Sequence, residues 1–328
     1  MRQWAMPVAV PSGSQPRQQC ADAVLMVRPA AFGYNPETAG SNAFQRPPGE
    51  MAGPQAQAAA RTEFDALVRA LRSEGVSVCV AEDTPDPPKP DAVFPNNWVS
   101  FHEDGTVVLY PLEAPSRRRE RRQEIIDEAV QGLGFRVRHL IDLMHYEEDG
   151  KFLEGTGSLV LDHTNRVAYA CLSSRTHPEL VQEWAQQLRY EPVLFEANDE
   201  KGQPLYHTNV LLCIGARMAV LGSEAIAAKD RARVLARLKA SGREVIEIGH
   251  EAIGRFGANM LELGTWDEAL GDSRVLVMSE QARRALSPDT YAQLSGCTDA
   301  LLAVPIPTIE RLGGGSVRCM LAEVFRAP

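Results

Sequence analysis

Gly313-Gly314-Gly315-Ser316-Val317-Arg318-Cys319-Met320-Leu321 lies near the end of a 328-residue chain, and its reading decides the fold. Three successive glycines let a backbone approach another group closely. The alternating residues after them predict a strand over Ser316 to Phe325 that carries a thiol, Cys319. No hairpin partner adjoins that strand in sequence, so its partner has to be sought elsewhere in the chain.

Upstream, an order of strand, strand, helix, strand occurs four times. It runs through Ala92 to Phe101, Thr106 to Tyr110 across the turn Glu103-Asp104-Gly105, a helix with Ile126, Val130 and Leu133, and Arg136 to Leu140. It returns at Phe152 to Leu161, Val167 to Leu172, a helix with Leu180, Val181, Trp184 and Leu188, and Glu191 to Phe195. A third copy covers His207 to Ile214, Met218 to Leu221, a helix with Val234, Leu235 and Leu238, and Glu244 to Ile248. The fourth covers Ala258 to Leu263, Arg274 to Met278, a helical stretch near Gln281 to Leu294, and Ala300 to Val304. Ahead of them all, Val24 to Arg28, a helix with Phe64, Leu67, Val68 and Leu71, and Val76 to Ala81 form a unit one strand short. Equivalent positions recur every ~50 to 60 residues, a period typical of propellers and solenoids. The strand over Ser316 to Phe325 is expected to complete the first unit. The predicted fold is α/β, a five-bladed propeller of ββαβ repeats closed by the C-terminal strand.

At 44% hydrophobic content the chain can bury a large core. Residues 1–22, rich in Pro, Gln and Ser and without a signal-peptide core, are expected to be a poorly ordered tail, and 23–328 a single catalytic domain. A net charge of -9 argues against nucleic acid or an anionic membrane as partner, since phosphate binding draws on concentrated Lys and Arg. No apolar run approaches the length of a membrane helix. The expected partner is a small molecule, and a homodimer is compatible with this reading. Six widely spaced cysteines without C-x-x-C predict a reduced, cytoplasmic protein.

A propeller gathers the starts of its inner strands about one axis. At those starts stand Asn96 and Asn97, Glu154, His207 and Asn209, Asn259, and Cys319. A thiol, an imidazole and a carboxylate are the ordinary parts of nucleophilic catalysis by cysteine. Arg175, between a strand and a helix, has the fork to hold a carboxylate. The other histidines sit at turns, strand ends and a helix start and read as structural, and no pair of His or Cys has zinc-like spacing, so neither metal nor cofactor is expected. The basic run Arg117 to Arg122 reads as the solvated face of an amphipathic helix. The long Pro29 to Pro54 segment is either a lid over the ring mouth or a loose surface loop.

The phrases Met-Val-Arg-Pro (26–29), Phe-Pro-Asn-Asn-Trp (94–98), Leu-Glu-Gly-Thr-Gly-Ser (153–158), Leu-Ser-Ser-Arg-Thr (172–176) and Tyr-His-Thr-Asn (206–209) give the chain, from about Val24 on, a resemblance to the guanidino-group-modifying (pentein) superfamily. This includes arginine deiminases, dimethylarginine dimethylaminohydrolases, amidinotransferases and succinylarginine dihydrolase. The resemblance implies Cys319 as nucleophile, His207 as general acid and base, Glu154 as the substrate-orienting carboxylate and Arg175 as the clamp on the substrate carboxylate. Asn97 and Asn209 stand where deiminases carry Asp. A carboxamide suits a neutral ureido group better than a guanidinium. The expected reaction is therefore the citrulline-utilisation branch's hydrolysis of citrulline to ornithine, ammonia and carbon dioxide through an S-carbamoyl intermediate. Asn96, Asn97, Asn209 and Asn259 are its expected substrate-binding residues. Arginine deiminase, dimethylarginase or amidinotransferase activity, and a non-catalytic binding module, are the alternatives.

Overall fold

The computed structural model describes residues 18–49, 53–267 and 271–326. Strands β1 (Ala23–Arg28) and β2 (Ser77–Glu82) are parallel neighbours. Parallel neighbours need a crossover, and the helix Pro54–Ser73 supplies it. Proline opens that helix, Phe64, Leu67, Val68 and Leu71 form its buried face, and the left-handed Gly75 turns the chain back. Each of the next four units adds an antiparallel hairpin before the crossover. They are β3 (Val99–Phe101), β4 (Thr106–Leu109) and β5 (His139–Asp142), then β6 (Leu159–Asp162), β7 (Val167–Cys171) and β8 (Glu191–Phe195). The others are β9 (Leu212–Ile214), β10 (Met218–Leu221) and β11 (Glu244–Glu247), and β12 (Leu261–Asp267), β13 (Gly271–Ser279) and β14 (Ala300–Val304).

The last strand, β15 (Ala322–Val324), runs antiparallel to β1, with Leu25 opposite Ala322 and Ala23 opposite Val324. It therefore supplies the strand that the first unit lacks. Its other edge meets β3 at the single register Val324 to Phe101, so the first two units share one six-stranded sheet, beside three sheets of three strands. The architecture is a mixed α/β fold. Apolar side chains fill the space between the sheets and their crossover helices, Trp98, Trp184, Tyr110 and Tyr169 being the largest that are fully buried.

Three differences from expectation bear on the site. The predicted strand Ser316 to Phe325 is a strand only over Ala322–Val324, and Cys319 rides on a single helical turn, Val317–Met320. The predicted first strands of three other units likewise begin late, after the turns Pro95–Asn97, Gly155–Ser158 and Thr208–Val210. Their Asn, Gly and Pro residues make poor ladder partners, and local bonds such as Trp98 N to Pro95 O (3.1 Å) and Cys319 N to Ser316 O (3.0 Å) satisfy the backbone instead. At the N-terminus, residues 1–17 of the expected tail lie outside the described residues. Gln19, Cys20 and Ala21 are buried, with the Gln19 amide donating to the carbonyls of Leu161 (3.0 Å) and Ile214 (3.3 Å), so the folded part starts before residue 23.

Candidate active site

Asn97 and Cys319 from two of the helical turns, His207 at the start of a third, Arg175 and Gly313 to Gly315 help to line one pocket of about 280 Å³. Gly314, left-handed at φ 65°, caps the helix Pro307–Gly313. A Cβ there would stand 2.6 Å from Asn42 Nδ2. The glycines thus end a helix and let its end pack closely against Asn42 and Gln45 of the Pro29 to Pro54 segment. The carbonyl of Gly314 accepts from the Tyr206 hydroxyl (2.7 Å) and from Asn42 Nδ2 (3.2 Å).

His207 and Glu154 form a buried pair, His207 Nε2 lying 2.9 Å from Glu154 Oε2. Burial alone would raise the Glu154 carboxyl, but Arg175, the bond from His207 and Arg117 hold it well below the usual carboxylate range. An ionised carboxylate can only accept, so Nε2 carries the hydrogen and Nδ1 is the basic nitrogen of the neutral ring. Burial pushes the imidazole below its ordinary value against the opposing pull of Glu154, which keeps it neutral at neutral pH. Gly157 makes the pair's surroundings tight, because any Cβ would fall 2.6 Å from His207 Nδ1 and 2.5 Å from Asn97 Nδ2.

Cys319 Sγ receives two carboxamide N–H groups, Asn259 Nδ2 at 3.4 Å and Asn209 Nδ2 at 3.5 Å. Asn97 turns its Oδ1 to Arg117 Nη1 at 2.9 Å. A guanidinium only donates, so this contact fixes the amide orientation and leaves Asn97 Nδ2 as a buried donor without a partner. Arg175 Nη1 lies 3.4 Å from Glu154 Oε2, its Nη2 donates to Ser41 Oγ (2.7 Å) and Thr38 O (3.1 Å), and its Nε lies 3.2 Å from Glu113. Its guanidinium carbon stands 5.0 Å from the centre of the Tyr206 ring.

All the residues singled out from sequence come together in this region, at two depths. Cys319, His207, Asn97 and Arg175 line the pocket, whereas Glu154, Asn96, Asn209 and Asn259 are buried outside its lining. Asn96 links two turns, its Nδ2 donating to Thr156 Oγ1 at 3.3 Å. Arg117, read from sequence as a solvated residue, is buried in the pocket wall between Asn97, Glu120 (2.9 Å) and Asp91 (3.8 Å). Its acidic neighbour three residues on, Glu120, was the signal that this arginine is paired rather than solvated. Asp91 also lines the pocket. Burial raises its carboxyl against the pull of Arg117 and of Asn35, whose amide donates to Oδ2 at 2.7 Å, and Oδ1 has no partner. Nothing in the sequence around Asp91 marked it as a site residue. From the Pro29 to Pro54 segment, Thr38 and Asn42 line the pocket and Ser41 bonds both Arg175 and Glu113 (2.9 Å), so this stretch is packed on the site.

By sequence, no curated protein matches the chain. In fold it is similar to the cyanobacterial arginine dihydrolase ArgZ of the ornithine–ammonia cycle, at a TM-score of 0.71 and 17% identity, over 93% of this chain and 41% of ArgZ. The chain thus spans about two fifths of that protein's length. The N-terminal domain of ArgZ bound to its substrate is similar over 93% of this chain and 98% of the domain, with a TM-score of 0.70 and 18% identity. A dimethylarginine dimethylaminohydrolase variant, as its adduct with S-methyl-L-thiocitrulline, has a TM-score of 0.60 and 18% identity over 92% of this chain and 98% of that one. The family model for N,N dimethylarginine dimethylhydrolase, eukaryotic, matches residues 28–326, and the chain belongs to that family.

Proposed function

We propose that the chain is a cysteine-dependent hydrolase of the guanidino group of arginine or a methylated arginine. The observation that carries this reading is the meeting, in one pocket, of Cys319 and the neutral His207 with two arginines and Asp91. A free amino acid needs a cationic partner for its carboxylate and an anionic one for its ammonium. Arg175 and Arg117 suit the first, and the unpartnered Oδ1 of Asp91 suits the second. The neutral His207 takes up the thiol proton as Cys319 Sγ becomes the thiolate that attacks the guanidino carbon, the C–N bond to the departing amine or ammonia breaks as His207 passes that proton to the leaving nitrogen, and a thiouronium adduct remains. Water, giving its proton to His207, displaces the thiolate and leaves a ureido product. The five three-stranded units, with β15 against β1, support reading the scaffold as a closed five-bladed propeller whose axis carries this site.

A second reading is hydrolysis of the ureido group itself, which takes citrulline on to ornithine. The unpartnered Nδ2 of Asn97 favours it, because that donor meets no acceptor on a guanidinium and would meet one on a ureido oxygen. Incubation with arginine, methylated arginines and citrulline, with ammonia, amines, citrulline and ornithine measured, tests both readings. Consumption of a guanidino compound by the wild-type chain and not by Cys319→Ser is the expected result, and no consumption of any guanidino compound refutes the first reading. Citrulline that accumulates and is never consumed refutes the second.

A further inference from the structure

The sequence places Asn259 among substrate-binding residues, yet its carboxamide is engaged within the protein, Nδ2 standing closer to Cys319 Sγ (3.4 Å) than Oδ1, the possible acceptor for the thiol, does (3.8 Å). Asn259 is fully buried. Its Oδ1 accepts from the backbone N–H of Arg318 at 3.1 Å, which settles the orientation of the amide, since a backbone N–H only donates. Nδ2 is thereby turned to the carbonyl of Asn209 (3.1 Å) and to Cys319 Sγ (3.4 Å). Asn209 brings a second Nδ2 to the same sulfur at 3.5 Å. A donor to sulfur is strengthened when the sulfur is charged, because charge-assisted bonds are about twice as strong as neutral ones.

We propose that Asn259, together with Asn209, stabilises the thiolate form of Cys319 and directs its Sγ into the pocket. This rests on the reading of Cys319 as the nucleophile and adds to it the groups that hold the charge before substrate arrives. One clamp does both jobs: Asn259 binds the turn backbone at Arg318 through Oδ1 and the sulfur of the next residue through Nδ2.

The pH profile of Cys319 alkylation by iodoacetamide, read site by site by mass spectrometry, tests the proposal without any substrate. Asn259→Leu, close in volume but without donor or acceptor, is expected to move the midpoint of the profile up by about one unit or more. The rate at pH 7 should fall about tenfold to a hundredfold, and the plateau at high pH should stay that of the wild type. Asn259→Ser, which keeps a shorter donor, should fall between the two. An unchanged midpoint, or a lowered plateau with no shift, would mean that Asn259 only packs, and overturns the proposal. If Asn259→Leu fails to fold, Asn209→Leu takes its place: a shifted midpoint supports the cradle and an unshifted one overturns it. A chain that shows the shift but consumes no guanidino compound keeps the cradle and loses the proposed substrate; the converse result keeps the substrate and loses the cradle.

Discussion

Replacing Gly157 by alanine tests whether the contact between the His207 and Asn97 turns is as tight as the structure makes it. A Cβ at 157 would stand 2.5 Å from Asn97 Nδ2, 2.6 Å from His207 Nδ1 and 2.7 Å from His207 Cε1, against an ordinary closest approach of about 3.4 Å. One or both rings of contacts must therefore give by close to an ångström. Neither side chain is free to do so: Asn97 is held by Arg117 at 2.9 Å and His207 by Glu154 at 2.9 Å. Overpacking of this kind costs about 1–3 kcal/mol of stability, and a misplacement of about 1 Å in a catalytic group costs roughly a hundredfold in rate. The expected result is a folded protein whose kcat/KM for its guanidino substrate falls about a hundredfold while its denaturation midpoint falls modestly. Gly296→Ala is the control, because a Cβ there meets nothing within 4 Å and the residue lies in the helix Pro288–Cys297. It should leave activity unchanged and raise stability by about 0.5–1 kcal/mol. If Gly157→Ala retains kcat/KM within about threefold of the wild type, the tight contact at His207 is wrong and the reasoning about the site falls with it.

Burial pushes the Glu310 carboxyl up from its ordinary 4.5 to about 7, although the Ser316 hydroxyl donates to it at 2.6 Å. The folded state therefore holds a proton that the unfolded chain has lost between those values, so stability is full below pH 4.5 and declines as pH rises through about 7. Glu310→Gln keeps an acceptor for Ser316 without the charge. It should be more stable than the wild type at pH 8 by up to about 3 kcal/mol and equal to it at pH 4, and equal denaturation midpoints at both pH values would refute this. Arg243 bridges both oxygens of Asp162 (2.7 and 3.0 Å), the Gly215 carbonyl (2.6 Å) and Gln19 Oε1 (3.0 Å) in a buried cluster. Arg243→Ala leaves Asp162 buried without its cation and should cost about 3–5 kcal/mol in denaturant unfolding; a loss under about 1 kcal/mol would show that the pair carries little.

The order of strands was legible because hydrophobic period and turn residues report on local structure, and the partner of the last strand followed from counting which unit was one strand short. Leu25 opposite Ala322 is that inference realised in a register. What escaped was the stretch just before each inner strand. Asn96-Asn97, Thr208-Asn209 and Arg318-Cys319 carry no helical period, since a single turn is too short to have one. The same blindness hid Arg117. A run of arginines reads as solvated when only its neighbours in sequence are considered, and its burial depends on Asn97 and Asp91, which approach it through the fold. Asp91 was silent for a related reason, because an acid is marked as functional by what faces it, and its facing groups, Asn35 and Arg117, lie in other segments. The helical turns explain why so many site residues were nonetheless found. In four of the units a short turn stands ahead of the inner strand, so polar residues recur at equivalent positions around the pocket or just behind its wall even though the strand predicted to carry them starts later. Position in the repeat therefore brought Asn97, His207 and Cys319 to the pocket and left Glu154, Asn96, Asn209 and Asn259 behind its wall, and it gave no sign of Arg117 and Asp91, which reach the pocket from outside the repeated turns.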